Sequence, residues 1–358
     1  MSLLTDFSGG GSGGYAIAEW GEYDNTKYME VDQTSIIKPT PIGEWTYKTS
    51  VCPVDSAYGV SSVAISDDDY LVLITGVMYR YKPSTDTYTE DTNYNSINAL
   101  RCSMVKYNDG TNDFIYIFGG YDIDFKVIDN YCKFDIANDE YIDMGTAGFG
   151  KLVNFAIDTS SDGNLLYIHG GLGSHHNFSS SLWTYDFVND SFQVSGGSEA
   201  PYIFPKRSTH SIGVYDDSLF ILGGFDANWD GVDTVLEVDI NSGEVLNTKT
   251  SGGILSSDNS PPYNYICGYY NDFTNFKIIS FSTKGEVYEY DVLEDTHYKK
   301  SPLYVDDTLN PIYYNSPNVS GINGNYFIFP SKATETTASF DNTIVKVNPE
   351  TKVLISKV

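Results

Sequence analysis

The sequence predicts an all-β fold made of repeated four-stranded antiparallel units, and three observations lead to this prediction. First, an apolar run ends in two glycines three times, as FIYIFGG at 114–120, LLYIHGG at 165–171 and LFILGG at 219–224. Second, an aspartate closes another apolar run 15 residues after each double glycine, at 135, 186 and 239. Third, the chain contains 30 Tyr and 19 Phe, which favour half-buried strands.

The ends of these later apolar runs give the period of the repeat. If the strands of a unit are lettered a to d in chain order, the c strands end at residues 32, 82, 135, 186, 239, 291 and 348. The spacing predicts seven units in one domain that spans 1–358, at about 1–50, 51–98, 99–148, 149–197, 198–252, 253–302 and 303–358. Repeated four-stranded units of this length are typical of a β-propeller, in which each blade buries its faces against its neighbours.

The first unit is the weakest, and the blade count depends on it. We expect its strands at 2–8, 15–21, 27–32 and 44–49. If residues 2–14 do not form a strand, the C-terminal unit shares strands with the first one, and the propeller has six blades in place of seven. The double glycines are expected to let the b strands turn sharply into the loops that follow.

These motifs resemble kelch repeats. The resemblance rests on FGG, HGG and LGG, on the aromatic and aspartate pattern of WTYD and YEYD, and on residues 206–224, KRSTHSIGVYDDSLFILGG, which are the best copy. It extends over the whole chain at the level of the repeat, with three good copies and four degenerate ones. The resemblance implies a kelch-like propeller and says little about function.

The net charge of −27 excludes some partners. A nucleic-acid binder needs a basic surface to displace counterions, and a protein that binds anionic membranes needs the same. The chain shows neither this surface, nor a signal peptide, nor an apolar run long enough to span a membrane. We therefore expect no nucleic acid, no membrane insertion, and a location in a virion or in the cytoplasm.

In a four-stranded meander, the b–c and d–a loops leave the sheet at the same end. The predicted b–c loops are 121–130, 172–181, 225–234 and 331–343, and the long d–a loops include 51–60, 196–209, 252–263 and 301–318. Because binding residues concentrate on loops held by a rigid scaffold, this end of the molecule is the candidate binding surface. It is called the loop face below.

Several side chains on the loop face are candidate binding residues. Trp229 lies in the polar loop DANWDG, where it either packs on its own unit or contacts a partner. Arginines are scarce, and two of the three precede a strands, where they either pair internally or hold a carboxylate of a ligand. The full set of candidates is Trp229, Arg207, Arg101, His175, His176, Phe178, Tyr263 and Tyr313.

The same loop carries a candidate calcium site. Asp226, Asn228, Asp230 and Asp233 follow the pattern D-x-N-x-D-G-x-D, whose alternating oxygen ligands and glycine resemble the start of a calcium loop. The bidentate glutamate that completes such loops is missing, so a plain polar turn is the alternative. We expect no other cofactor.

The sequence has no P-loop and no HExxH motif. The chain resembles galactose oxidase in its kelch-like blades, but the tyrosine and histidine pattern of that copper site cannot be transferred. His169 follows a b strand and His297 lies in a d strand, so neither is expected to meet the other histidines.

Function is therefore expected from binding. The chain lacks a partner domain and has a surface rich in Tyr, Asn, Asp, Ser and Thr, which resembles phage tail and fibre proteins. These features favour a non-catalytic propeller that binds a protein or glycan, as a structural or receptor-binding part of a virion. The alternatives are a cytosolic kelch adaptor and a sugar-active kelch enzyme similar to the oxidases or mutarotases.

Overall fold

The computed structural model describes the backbone and side chains of most residues between 60 and 249, and the backbone of strands outside that range. The described ranges are 19–23, 26–30, 44–51, 60–94, 100–160, 162–195, 203–232, 234–250, 266–272, 275–281, 287–291, 296–299, 315–322, 325–331 and 343–348.

Within these ranges the regular structure consists of 26 β-strands and a three-residue 3₁₀ turn at Ser174–His176. The strands are β1 Glu19–Tyr23, β2 Thr26–Glu30, β3 Glu44–Val51, β4 Val60–Ser66, β5 Asp69–Ile74, β6 Val77–Lys82, β7 Thr87–Glu90, β8 Ser103–Asn108, β9 Asp113–Phe118, β10 Asn130–Asp135, β11 Glu140–Thr146, β12 Ala156–Thr159, β13 Leu165–His169, β14 Leu182–Asp186, β15 Ser191–Val194, β16 Ser211–Tyr215, β17 Ser218–Leu222, β18 Thr234–Asp239, β19 Val245–Thr250, β20 Ile266–Asp272, β21 Asn275–Phe281, β22 Val287–Asp291, β23 Thr296–Lys299, β24 Asn315–Ile322, β25 Asn325–Ser331 and β26 Thr343–Asn348. The prediction of an all-β chain is confirmed.

The strands pair into four-stranded antiparallel sheets, as the repeat predicts. Five of these sheets are meanders of consecutive strands: β4–β7, β8–β11, β12–β15, β16–β19 and β20–β23. A sixth sheet has the order β24-β25-β26-β3, and β1 and β2 form a separate two-stranded sheet. The described residues therefore contain six four-stranded sheets.

The N-terminal part corrects one prediction. We expected residues 44–49 to be the outer strand of a four-stranded first unit, but β3 pairs with β26 of the C-terminal sheet, with Tyr47 opposite Val345 and Glu44 opposite Asn348. The physical reason is that β26 would otherwise leave a row of unpaired backbone groups at the edge of a three-stranded sheet. This is the shared-strand arrangement that the sequence left open. Residues 2–14 lie outside the described residues.

Apolar side chains fill the space between neighbouring sheets. One buried cluster joins β5 of the first meander to β9 and β10 of the second, and includes Leu71, Ile117 and Phe134. A second cluster joins the second meander to the third, and a third joins the third to the fourth. The first strands also lie side by side, β4 with β8, β12 with β16, β16 with β20, β20 with β24, and β24 with β4. Sheets packed face to face in this way fit a β-propeller.

Two of the double glycines connect their own sheet to the next one, at Gly120 and Gly171. Gly119 and Gly120 have positive φ values of 56° and 92°, which favour glycine. The N–H of Gly119 donates to the Asn130 carbonyl at the start of the c strand (3.0 Å), and the N–H of Gly120 donates to the Leu152 carbonyl of the following unit (3.1 Å). The glycines thus turn the chain, as expected, and also form a hydrogen bond between sheets that the sequence did not predict.

Candidate functional site

The b–c and d–a loops meet at one end of the sheets, as the meander predicts. The start of each b–c loop forms a β-bridge with the end of the preceding d–a loop in three successive units: Leu100 with Tyr121, Val153 with Leu172, and Ser208 with Phe225. The described part of the loop face is therefore built three times on the same backbone pattern. Residues at the same position of this pattern in different units are called equivalent below.

The tip of each b–c loop is a tight turn held by its own hydrogen bonds. In the third loop, Asp226 Oδ1 accepts hydrogen bonds from the N–H groups of Asn228 (2.8 Å) and Asp230 (3.1 Å), and the Trp229 N–H donates to the Asp226 carbonyl (3.0 Å). In the first loop, Asp122 Oδ1 likewise accepts from Asp124 and Lys126. These contacts fix the backbone of the tips before any partner binds.

An aromatic residue occupies the left-handed position at the tip of all three loops. The φ values of Phe125, His176 and Trp229 are 60°, 60° and 65°. Bulky side chains are uncommon in this region of backbone space, and such residues concentrate at functional sites. Phe125 is 55% exposed and Trp229 is 51% exposed. The sequence analysis singled out His176 and Trp229 but missed Phe125, which the equal spacing of DIDFK and DANWD would have indicated.

Two neighbouring loops meet in a cluster around Trp229. The centroid of its ring lies 4.9 Å from that of Phe178, 6.2 Å from that of His176 and 6.0 Å from that of Phe225, with the planes steeply inclined in each case. Edge-to-face contacts at these distances are favourable. Trp229, His176, Phe178 and Phe225 are called the aromatic cluster below. The structure therefore brings together three of the predicted site residues from two different sheets.

The remaining predicted residues fall in different places. His175 is exposed beside the aromatic cluster, in the 3₁₀ turn, and has no ring contact within the described part of the chain. Tyr263 and Tyr313 lie outside the described residues. The cluster itself thus rests on the loops at 172–178 and 225–231.

The three arginines differ in their surroundings. Arg80 lies within 3.1 Å of Asp69, 3.6 Å of Asp91 and 2.7 Å of Asp139, which is an internal ion-pair network. Arg101 and Arg207 appear in none of the ion pairs among the described residues. One of the three arginines therefore forms ion pairs within the fold, and the other two lie on the loop face.

Burial is the main influence on the two loop-face arginines. Desolvation lowers the pKa of Arg207, and the carboxylate of Asp226 opposes this shift. Desolvation also lowers the pKa of Arg101, whose Nη1 lies 3.4 Å from Asn154 Oδ1. Arg207 Nη1 donates to the Lys206 carbonyl at 2.9 Å. Both guanidinium groups are thus partly buried and form hydrogen bonds within the chain.

The predicted calcium ligands are used by their own loop. Asp226 directs Oδ1 to backbone N–H groups, and Asn228 Nδ2 lies 3.5 Å from Asp226 Oδ2. Asp233 lies outside the described residues. Where the chain is described, no group of three or more His, Cys, Asp or Glu is arranged to hold a metal ion. Calcium binding at the complete loop stays a prediction.

The expectation that His169 stays apart from the other histidines is wrong. His169 Nδ1 lies 2.8 Å from His210 Nε2, and both side chains are buried. His169 ends β13, and His210 directly precedes β16, so the pair joins the third and fourth meanders. The two residues are 41 positions apart in the chain, and the sequence gives no local signal of their contact.

The four-stranded antiparallel sheets of this all-β chain fit a β-propeller. A search of solved structures agrees: the chain is similar to the protein described as "Structure of YjhT", with a TM-score of 0.56 and 12% sequence identity, over 83% of this chain and 94% of that one. At this level of identity the likeness concerns the fold alone. No protein-family model and no curated protein matches the chain.

Among the described residues no helix is long and apolar enough to cross a bilayer.

Proposed function

We propose that this chain is a non-catalytic binding scaffold, a kelch-like propeller of six blades that presents its loop face to a protein or glycan partner. The six four-stranded sheets support this blade count, and the contact of β24 with β4 supports circular closure. The double-glycine turns, repeated in three successive sheets, support the kelch-like type. In this proposal β3 completes the last blade.

The observation that carries the proposal is the half-exposed Trp229 in a turn fixed by Asp226. An exposed tryptophan keeps apolar surface in water, which is unfavourable unless a partner covers it. Tryptophan and arginine are enriched among the residues that dominate binding energies, and Arg207 lies on the same face. Phe125 repeats the arrangement in the β8–β11 sheet, two sheets away from the sheet of Trp229, so the surface extends beyond a single loop.

The proposal extends to the biological setting. A surface rich in tyrosine, asparagine and aspartate, with three arginines in 358 residues, supports a structural or receptor-binding role in a phage virion, in the tail or a fibre. In that setting the partner is a host-surface glycan or another virion protein. A cytosolic adaptor would instead bind one soluble protein, and a sugar-active enzyme would convert its ligand.

The proposal is tested by a glycan array together with native mass spectrometry, both with and without a chelator. We expect a glycan that is bound and released unchanged, or a stable particle that contains several chains. The chelator arm tests the calcium prediction, since loss of binding and of one metal equivalent would support it. Turnover of an arrayed sugar would contradict a non-catalytic role. A monomer that binds no glycan would contradict both the structural and the receptor-binding role in a virion.

A further inference from the structure

The aromatic cluster is carried by the third and fourth meanders, which meet at an interface that contains a buried histidine pair. Such an interface between neighbouring sheets is called a seam below. His169 is fully buried and His210 is 6% exposed, and their facing nitrogens are 2.8 Å apart. At this distance one imidazole donates a hydrogen bond and the other accepts it, so the accepting ring has to be neutral. The seam therefore depends on the protonation of two side chains.

The same seam is bridged by three backbone hydrogen bonds, one of which runs from the Phe204 N–H to the Ser180 carbonyl at 2.9 Å. The Gly171 N–H donates to the Arg207 carbonyl at 2.8 Å, and the Thr209 N–H donates to the Asn154 carbonyl at 3.0 Å. Gly171 opens the loop that bears His176 and Phe178. Arg207 belongs to the segment that leads to the sheet of Trp229. The histidine pair thus lies where the two binding loops are held together.

The preceding seam has the same construction without histidines. There the Gly120 N–H donates to the Leu152 carbonyl at 3.1 Å. A Cβ placed on Gly119 would meet the Leu152 carbonyl and the ring of Phe155, just as a Cβ on Gly170 would meet the Arg207 carbonyl and the ring of His210. Phe155 is therefore equivalent to His210.

Repeat position likewise makes Phe118 equivalent to His169, since each residue directly precedes a double glycine. The seam between the second and third meanders is therefore apolar at these positions, whereas the seam between the third and fourth meanders contains two titratable side chains.

The surroundings of the pair disfavour positive charge. Burial lowers the pKa of His169 to about 3, with a further contribution from the positive charge of Arg207. Burial also lowers the pKa of His210 well below its ordinary value, and His169 and Arg207 add to this effect. The Pro205 carbonyl opposes the shift of His169, although Nε2 has no hydrogen-bond partner within normal geometry.

The elements that flank the pair carry one buried carboxylate, Asp158 of β12, whose Oδ2 accepts a hydrogen bond from the Val214 N–H of β16 at 2.7 Å. Ala156 of β12 and Leu182 of β14 lie opposite His169 in the sheet, and the ring of Phe204 lies 6.1 Å away. Within the described residues no carboxylate acts on either imidazole, and Arg207 is the charged side chain that acts on both. A proton on either ring is therefore resisted as long as the seam stays closed.

We propose that the His169–His210 pair is a proton-sensitive latch, which holds the two sheets together while both rings are neutral and releases them on acidification. Once the seam opens, each imidazole titrates near its ordinary pKa of about 6.5. The pKa values are lower in the closed seam, so the latch is fully effective above about pH 6.5 and weakens below it. With two rings, the population of the open seam rises up to ~100-fold per pH unit.

The latch also controls the candidate site, a step that rests on the proposed function. The aromatic cluster spans this seam, because His176 and Phe178 lie on one side and Trp229 on the other. Opening separates these rings, so acidification releases a partner that needs both loops.

The test is amide hydrogen exchange by NMR on the intact chain between pH 7 and pH 5, expressed as protection factors so that the intrinsic effect of pH is removed. We expect the protection of the Gly171 and Thr209 amides to fall steeply below about pH 6.5, while the Gly120 amide of the apolar seam keeps its protection. If the three amides respond equally to pH, there is no latch. This comparison needs no variant and no partner.

Two variants extend the test. His169→Phe with His210→Phe copies the apolar seam and is expected to abolish the pH dependence at Gly171, whereas His175→Asn changes an exposed histidine and is expected to leave it unaltered. An unaltered pH dependence in the double variant would overturn the proposal. If this double variant does not fold, a second double variant, His169→Asn with His210→Gln, takes its place in the same comparison. Its side-chain amides lie near the positions of the two facing nitrogens and do not titrate.

Amide exchange and partner binding, measured together, also distinguish the latch proposal from the proposed function of the loop face. A pH-dependent seam without any partner on the loop face would leave the latch intact and contradict the proposed function. A partner whose affinity does not change between pH 7 and pH 5, while the seam opens, would contradict the control of the site.

Discussion

At the scale of single residues, the second glycine of each pair has two separate requirements. Gly171 has a φ of 89°, and a Cβ at this position would lie 2.8 Å from the Val153 carbonyl oxygen. A side chain is therefore disfavoured both by the left-handed backbone and by contact with a backbone atom that has little freedom to move. Gly110 has a similar φ of 91° but open space around the Cβ position.

This contrast predicts the outcome of two alanine substitutions. Gly110→Ala is expected to lower the free energy of unfolding by about 1 kcal/mol, the usual order of the left-handed cost for an alanine. Gly171→Ala is expected to cost at least ~2 kcal/mol more, because the Cβ displaces the Val153 carbonyl and weakens the bond to Arg207. Urea denaturation of both variants measures the difference, and equal losses would show that the inter-sheet contact is unimportant.

Sequence reasoning reached the aromatic cluster only in part. The composition of DANWDG indicated Trp229, because a tryptophan in a polar loop is unusual. It did not indicate that Phe178 and His176 touch Trp229, since that contact depends on how two sheets sit beside each other. The histidine pair was missed for the same reason, as His169 and His210 are 41 residues apart in the chain.

At the scale of secondary-structure elements, the repeat predicted the meanders well because strand alternation and turn residues are local signals. Aspartates of the c–d turns also form hydrogen bonds with the preceding strands. The Tyr81 hydroxyl donates to Asp86 at 2.9 Å, and the Tyr185 hydroxyl donates to Asp190 at 2.6 Å. These bonds tie the end of the turn to the c strand of the same sheet.

The partner of β3 was not predictable with the same certainty, because strand pairing between distant parts of a chain leaves no local pattern. Nearly 300 residues separate the paired segments, as Tyr47 lies opposite Val345. The sequence consequently left two modes of closure open. The structure favours the mode in which an N-terminal strand completes the last sheet.

This pairing predicts different effects of two N-terminal truncations. Removal of residues 1–30 keeps β3 and is expected to change the melting temperature little. Removal of residues 1–51 leaves the edge of β26 unpaired, so we expect a loss of several degrees and a tendency to aggregate. Thermal unfolding followed by circular dichroism, with light scattering, measures both effects. Equal melting temperatures for the two truncated chains would contradict the role assigned to β3.

At the scale of the whole molecule, the described residues form packed sheets whose loop tips differ in sequence. Its apolar core lies between sheets, and the exposed aromatic residues of the b–c loops lie at one end. The opposite end carries c–d turns, where Val188 is 68% exposed. The two ends thus offer matched exposed side chains, one inside the proposed binding surface and one outside it.

The central claim, that the loop face binds the partner, is tested most directly by the affinity of Trp229→Ala and Val188→Ala for the glycan or protein identified with the unaltered chain. Trp229→Ala is expected to weaken binding at least ~10-fold, which corresponds to about 1.4 kcal/mol, because it removes the centre of the aromatic cluster. Val188→Ala is expected to bind normally, and both variants are expected to fold. Normal binding by Trp229→Ala, or a loss confined to Val188→Ala, would contradict the account.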